Sequence, residues 1–266
     1  MIMFHCKLPM NNRIKVAIVG AGGNGAQMAA GIAQISVAMQ ARGGLPLHVT
    51  IYDDDRVSTA NVGRQLFSPA DVGRYKSDVI AERTNWFYSM DWVSEPVRIN
   101  QKEGRYSYTD FFRSDIVISA VDTAKSRLDI EQSFTDDRYK SLPTYILDVG
   151  NRTRTGQVVL GAIFRNKYQL PTLSLLYPEI TDDDFQEQDQ GPSCSLAEAL
   201  QKQDLFVNRD VTTSALHILW DMISKRSIEY HGAFINLETM RRTPLKIDRA
   251  TWLRMNPDIE QYLTED

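Results

Sequence analysis

Apolar and polar positions along the chain follow two periods in turn. Residues 15–20, KVAIVG, form a short continuous apolar run closed by glycine, which predicts a strand buried on both faces. Helical spacing follows over about Ala26–Gln40, breaks at RGGLP and gives way to a second strand, LHVTIYD. This is a β-α-β unit. Next come a helix over KSDVIAERTNWF, a strand around PVRIN and a buried strand, SDIVISAVD, that ends at Asp122. A helix, AKSRLDIEQSF, and a strand, PTYILDVGN, continue the alternation, and the small and apolar residues of TGQVVLGAIF predict a sheet edge or an antiparallel addition. The pattern predicts an α/β fold with a Rossmann-like, mainly parallel sheet, helices on both faces and antiparallel strands in the C-terminal part.

Residues from about 166 to 194 change character. The acidic run EITDDDFQEQDQGPSC has no periodicity, and the whole stretch reads as a long crossover loop over one face of the sheet. Ser195 and Glu198 then have the spacing of a helix capping box. DVTTSALHILWDMIS forms a further helix with Val211, Ala215, Ile218, Leu219 and Met222 on one face, and HGAFINLETMRRTPLKID closes the chain as a hairpin. The 266 residues fit one domain, with 1–14 as an N-terminal extension.

Composition narrows the partners. With 30 Lys and Arg against 34 Asp and Glu, the net charge of −4 gives no general attraction to nucleic acid or to an anionic membrane. Two distant cysteines, Cys6 and Cys194, suggest neither a disulfide framework nor a cysteine-rich zinc site. Apolar runs are strand-sized and the start lacks a signal-peptide layout, so a soluble, cytoplasmic protein is expected.

GAGGNG places Gly20, Gly22 and Gly25 in GxGxxG spacing between a strand and a helix, where backbone donors at the helix start favour a phosphate. Asp53 follows Gly25 by 28 residues at the end of the second strand, the position of a ribose-binding carboxylate. A redox enzyme would next supply a proton relay, yet His5, His48, His217 and His231 sit in no such context. Cations appear instead. Arg64 and Lys76, with Gln65 beside the first, flank a polar loop after the glycine unit and suit a triphosphate attacked at its α-phosphorus. Asp122, past a buried strand, faces the ligand crevice of a parallel sheet and is suited to holding magnesium, although a plain helix N-cap is the alternative.

Taken in order, GxGGxG including Gly23, D-x-D-x-V at Asp53, Asp55 and Val57, N-x-x-R-Q at Asn61, Arg64 and Gln65, G-x-x-K at Gly73 and Lys76, and Asp122 resemble the ThiF, MoeB and ubiquitin-activating-enzyme superfamily. The likeness extends through Arg127 and TGQVV over about residues 15–225, and the stretches GPSCSLAEALQKQDLFVN and HGAFINLETMRRTPL resemble the ThiF-related branch of the PRTRC gene cluster. The resemblance implies ATP- and magnesium-dependent adenylation of the C-terminal carboxylate of a small ubiquitin-like, β-grasp protein by a homodimer. It assigns Asp53 to the ribose, Asn61, Arg64 and Lys76 to the phosphates, Asp122 to magnesium and Gln65 to loop support, with Thr123 beside the nucleotide where an amide is frequent. Three departures stand out: Thr123 itself, the lack of paired CxxC motifs, which predicts no zinc, and an N-terminal segment that offers only Arg13 where relatives carry an arginine for the partner subunit's site. An unreplaced cation on the phosphates would cost on the order of 10³-fold in rate. Cys194, just before a capped helix, is a candidate acyl acceptor, with inert packing in a GPSCS turn as the alternative. A nucleotide-binding scaffold without catalysis and an NAD(P)-dependent oxidoreductase are the competing functions.

Overall fold

Element order follows from where apolar runs can be buried. The computed structural model describes residues 3–99, 109–135, 141–181 and 204–264. Among these the chain forms β1 (Phe4–His5), β2 (Lys15–Val19), α1 (Gly23–Ala41), β3 (His48–Tyr52), α2 (Lys76–Tyr88), β4 (Val93–Glu95), α3 (Thr109–Phe112), β5 (Ile116–Ser119), α4 (Ala124–Thr135), β6 (Thr144–Asn151), β7 (Thr155–Phe164), β8 (Lys167–Leu170), α5 (Leu173–Leu176), α6 (Val207–Ser224), β9 (Ser227–Ile228), β10 (Tyr230–Asn236), β11 (Arg241–Lys246) and α7 (Arg249–Met255).

One sheet of nine strands organises the molecule. Its parallel part runs β4-β3-β2-β5-β6, and β7, β10 and β11 continue it antiparallel, with β8 also on β7. Val16–Val19 of β2 and all of β5 are buried, as expected of strands covered on both faces. Chain leaving β2 turns through α1 to β3 on one side, whereas β5 lies on the other. Strand order therefore reverses at β2, and a crevice opens beyond the carboxyl ends of β2 and β5. At the far edge Arg241, Arg242 and Pro244 are exposed on β11, charges and a missing N–H that blunt pairing with another chain.

Several boundaries differ from the sequence expectation. The strand expected around PVRIN lies earlier, at Val93–Glu95; Pro96 lacks a ladder donor, and Val97, Arg98 and Ile99 instead form part of the cleft wall. Residues 166–181 are not loop: β8 pairs with β7, and Tyr168, Leu170 and Leu176 are buried, anchors hidden in sequence by the acidic run that follows. Residues 182–194, with Cys194, and the Ser195–Glu198 capping box lie outside the described residues. The hairpin does not close the chain, since α7 follows it, capped by the Asp248 carboxylate, which accepts from the Thr251 N–H. The N-terminal extension is integrated: Phe4 and His5 pair antiparallel with Ile228 and Ser227, and Lys7 N–H donates to Tyr145 Oη at 2.7 Å. No helix among the described residues is long and apolar enough to cross a membrane.

Candidate functional site

A cleft of about 370 Å³ occupies the crevice. Its floor is the glycine turn. Gly20 adopts φ +91°, and a side chain there would meet the Ala120 carbonyl oxygen at 2.7 Å, so both conformation and contact demand glycine. α1 begins at Gly23 without a side-chain cap, leaving the backbone donors of its first turn for an anion. Gly23 has a further reason: a side chain would fall 1.8 Å from Nδ2 of buried Asn208, which α6 presses against the turn. Gly25 lies behind the floor, against the Gly20 carbonyl, and only Gly20, Gly22 and Gly23 of the loop's glycines line the cleft.

Asp53 holds this floor. Its Oδ2 accepts the Ala21 N–H at 2.5 Å and its Oδ1 the Asp55 N–H at 2.8 Å. Burial pushes its pKa up, opposed chiefly by the Lys76 ammonium. A carboxylate offers about four lone-pair sites, so acceptor capacity remains for two further donors.

The loop after β3 folds back over the cleft. Val57 N–H donates to Arg74 O and Gly73 N–H to Val57 O, while Lys76 N–H donates to Asp55 O, closing the loop on the start of α2. Arg64 and Gln65 line the cleft, and burial lowers the Arg64 pKa. Asn61 stands outside the lining: its Oδ1 accepts from the Ser58 N–H at 2.8 Å and from the Ser58 hydroxyl, and its backbone carbonyl receives the Gln65 N–H. It shapes the turn that aims Arg64. Lys76 lines the cleft with its side chain 10% exposed, and its Nζ donates to Asp55 Oδ2 at 2.7 Å, leaving two of three donors.

Asp122 lies exposed on the opposite wall, and the helix cap is its neighbour. Thr123 Oγ1 accepts the Ser126 N–H at 3.1 Å, so Thr123 starts α4 and does not line the cleft. The structure thus brings Gly20, Gly22, Gly23, Asp53, Arg64, Gln65, Lys76 and Asp122 together, and leaves Gly25, Asn61 and Thr123 as supports. Asp53, Asp54 and Asp55 also place carboxylate oxygens within 4.8 Å of one another.

Asn24, Arg98 and Arg152 also line the cleft and carried no sequence signal, whereas Arg127 entered through the family likeness without an assigned role. Asn24 occupies the variable position of the glycine hexad, and its Nδ2 donates to Asn151 Oδ1 at 2.9 Å. Arg98 joins from beyond β4, 3.5 Å from Asp54. Arg127 pairs with buried Asp148 and donates to the Val121 carbonyl, while Arg152 follows β6. Their chemistry is common surface chemistry until the sheet gathers it. Arg13 is placed elsewhere: it forks onto Asp91 at 2.6 and 2.5 Å and donates to the Pro46 and Leu47 carbonyls. None of the four histidines lines the cleft.

An open α/β sheet with a phosphate turn, an acidic strand end and converging cations at its switch point defines a nucleotide-binding protein. Residues 10–251 match the ThiF family, and the chain belongs to it. A comparison with curated proteins finds no match. Among solved structures it is similar to PaaA (TM-score 0.59, 16% identity, covering 88% of this chain and 73% of that one). It is also similar to E. coli MccB with ATP (TM-score 0.55, 17% identity, 90% and 65%) and to E. coli MccB with AMPCPP and MccA (TM-score 0.57, 16% identity, 89% and 64%). At these identities the likeness concerns the fold, and the chain spans just under two thirds of the MccB chains.

Proposed function

We propose that the protein is an ATP-dependent adenylyltransferase acting on the C-terminal carboxylate of a small ubiquitin-like protein. The observation that carries this reading is the single cleft shared by the glycine turn, Asp53, Arg64, Lys76 and Asp122. Asp53 accepts from the ribose hydroxyls, while first-turn N–H groups of α1, Arg64 and Lys76 hold the triphosphate. Asp122, an exposed oxygen donor on the cleft wall, fits a hard cation and would hold magnesium, which when bound neutralises charge on the phosphate oxygens. The partner's carboxylate attacks the α-phosphorus, the bond to the β-phosphate oxygen breaks, and pyrophosphate leaves with the electron pair. Arg64 and Lys76 stabilise the charge that builds there. Positioning and charge suffice for this step, so no protein nucleophile is required.

Membership of the ThiF family and the resemblance to its PRTRC-associated branch support the partner class. A homodimer is part of the same reading, supported by the resemblance and by Trp86 and Phe87, 85% and 68% exposed on α2. Cys194 as a later acyl acceptor also belongs to it: Cys194→Ser would leave adenylate formation intact and abolish a thiol-sensitive conjugate.

ATP–pyrophosphate exchange with the partner protein and magnesium tests the step. Asp122→Ala and Arg64→Ala are expected to lower exchange about 10²-fold or more; unchanged exchange in both would overturn the mechanism. A nucleotide-binding scaffold is the second reading, favoured by Arg13, whose guanidinium is already committed to Asp91 and to the Pro46 and Leu47 carbonyls of its own chain. Tight ATP binding with no exchange would establish it, and turnover at ordinary enzyme rates would exclude it.

A further inference from the structure

Beside the cleft, three turns meet at one end of the sheet: the connection from β6 to β7, the connection from β10 to β11, and the approach to α6. Leu237 N–H donates to Arg154 O and Asp204 N–H to Thr153 O, both at 2.8 Å, and Asn236 stands opposite both Thr155 and Arg241. Five exposed arginines are gathered there, Arg152, Arg154, Arg209, Arg241 and Arg242. Arg152 also lines the cleft, so rim and cleft are continuous.

Among the described residues, Asp204 and Glu238 on the same turns and Asp210 in the first turn of α6 leave an excess of positive charge on a chain whose net charge is −4. Arg154 lies 3.9 Å from Asp204 and Arg242 lies 3.2 Å from Asp210; the arginines are exposed and the carboxylates partly so, and at such surface sites these pairs are weak and readily exchanged for new partners. Phe206 and Met240, 56% and 85% exposed, sit among them. Arginine, an aromatic ring and methionine around a polar border is the composition enriched in protein interfaces.

We infer that this rim docks an acidic face of the protein whose C-terminal carboxylate enters the cleft past Arg152. The inference rests on the adenylation reading of the cleft and adds to it the surface chemistry of the partner. A nucleic acid fits less well. Its phosphates repeat every few ångströms and favour an unbroken cationic stripe, whereas three carboxylates and two apolar side chains interrupt this one. Complementary charge steers and orients the incoming partner, and the effect weakens as salt shortens the screening length below about 8 Å.

The probe is a fluorescent peptide of eight glutamates ending in Gly-Gly with a free carboxylate, titrated by anisotropy against the full chain with magnesium and a non-hydrolysable ATP analogue. Saturable binding is expected, weakened at least tenfold in the Arg154→Glu, Arg242→Glu double variant and between 50 and 300 mM salt, on the order of 10-fold being the scale of two reversed contacts. Arg241→Glu, at an exposed edge position, supplies an independent variant should the first misfold. The rim proposal is overturned if the peptide does not bind, if an eight-lysine peptide binds as well, if charge reversal changes nothing, or if single-stranded DNA of equal charge binds more tightly. Fluorescent ATP binding, read in parallel, separates the two levels: nucleotide bound with the peptide ignored removes only the docking surface, whereas no nucleotide binding removes the adenylation reading.

Discussion

His231 and Glu131 are both buried, and their protons work in opposite directions. His231 Nδ1 donates to the Leu160 carbonyl at 3.0 Å and its Nε2 accepts from the Trp252 indole at 2.9 Å, which fixes the neutral ring. Burial lowers its pKa from 6.5 to about 4. The unfolded chain takes up this proton below 6.5 and the folded chain only near 4, so stability falls as pH drops through that window, by about 3 kcal/mol in all. Glu131 accepts from the hydroxyls of Tyr168, Thr172 and Ser174, and burial raises its pKa above the usual 4.5. Its contribution is present below that ordinary value and is lost as pH rises through the folded one. Urea unfolding from pH 4 to 8 checks both: His231→Gln should flatten the acid limb and Glu131→Gln the limb above pH 4.5, and unaltered profiles would refute the assignments.

Among elements, the contact between α1 and α6 sets the shape of the phosphate turn. Gly23→Ala would drive a methyl into the Asn208 amide, overpacking that typically costs about 1–3 kcal/mol and here displaces the turn. Nucleotide affinity should fall about tenfold, and Asn208→Ala in the same chain should restore most of it. Gly20→Ala should not be rescued in this way, because its obstacle is the Ala120 backbone. Calorimetric titration with ATP distinguishes the two glycines. The same contact marks what sequence could disclose. Buried strands, the glycine turn, Asp53, Arg64, Lys76 and Asp122 were legible because their spacing is local or tied to strand ends. Asn24, Arg98, Arg152 and Asn208 were not, since they become neighbours only when the sheet and α6 close around the turn, and Arg127 was legible as part of the family likeness but not as a lining residue. β8 was missed because four residues of alternating burial carry too little period beside a long acidic run.

At the scale of the whole molecule, the sheet divides into a parallel half that positions the nucleotide turn and an antiparallel half whose exposed turns border the cleft. On the proposed reading, the first half would recognise nucleotide and the second the partner that bears the carboxylate. Their continuity across β6 and β7, hydrogen-bonded from Thr144↔Ile163 to Asn151↔Gly156, keeps the two in register. The N-terminal pairing has a temporal meaning. Phe4 finds its β-partner at Ile228, so β1 must wait unpaired until residue 228 has been synthesised. β2, α1 and β3 can meet long before that, since they are separated by tens of residues. During translation, residues 3–10 should therefore remain protease-sensitive after the β2–β3 unit is protected. Protection should arrive only once residues through about 230 have emerged, and pulse proteolysis of stalled chains of increasing length would reveal that order.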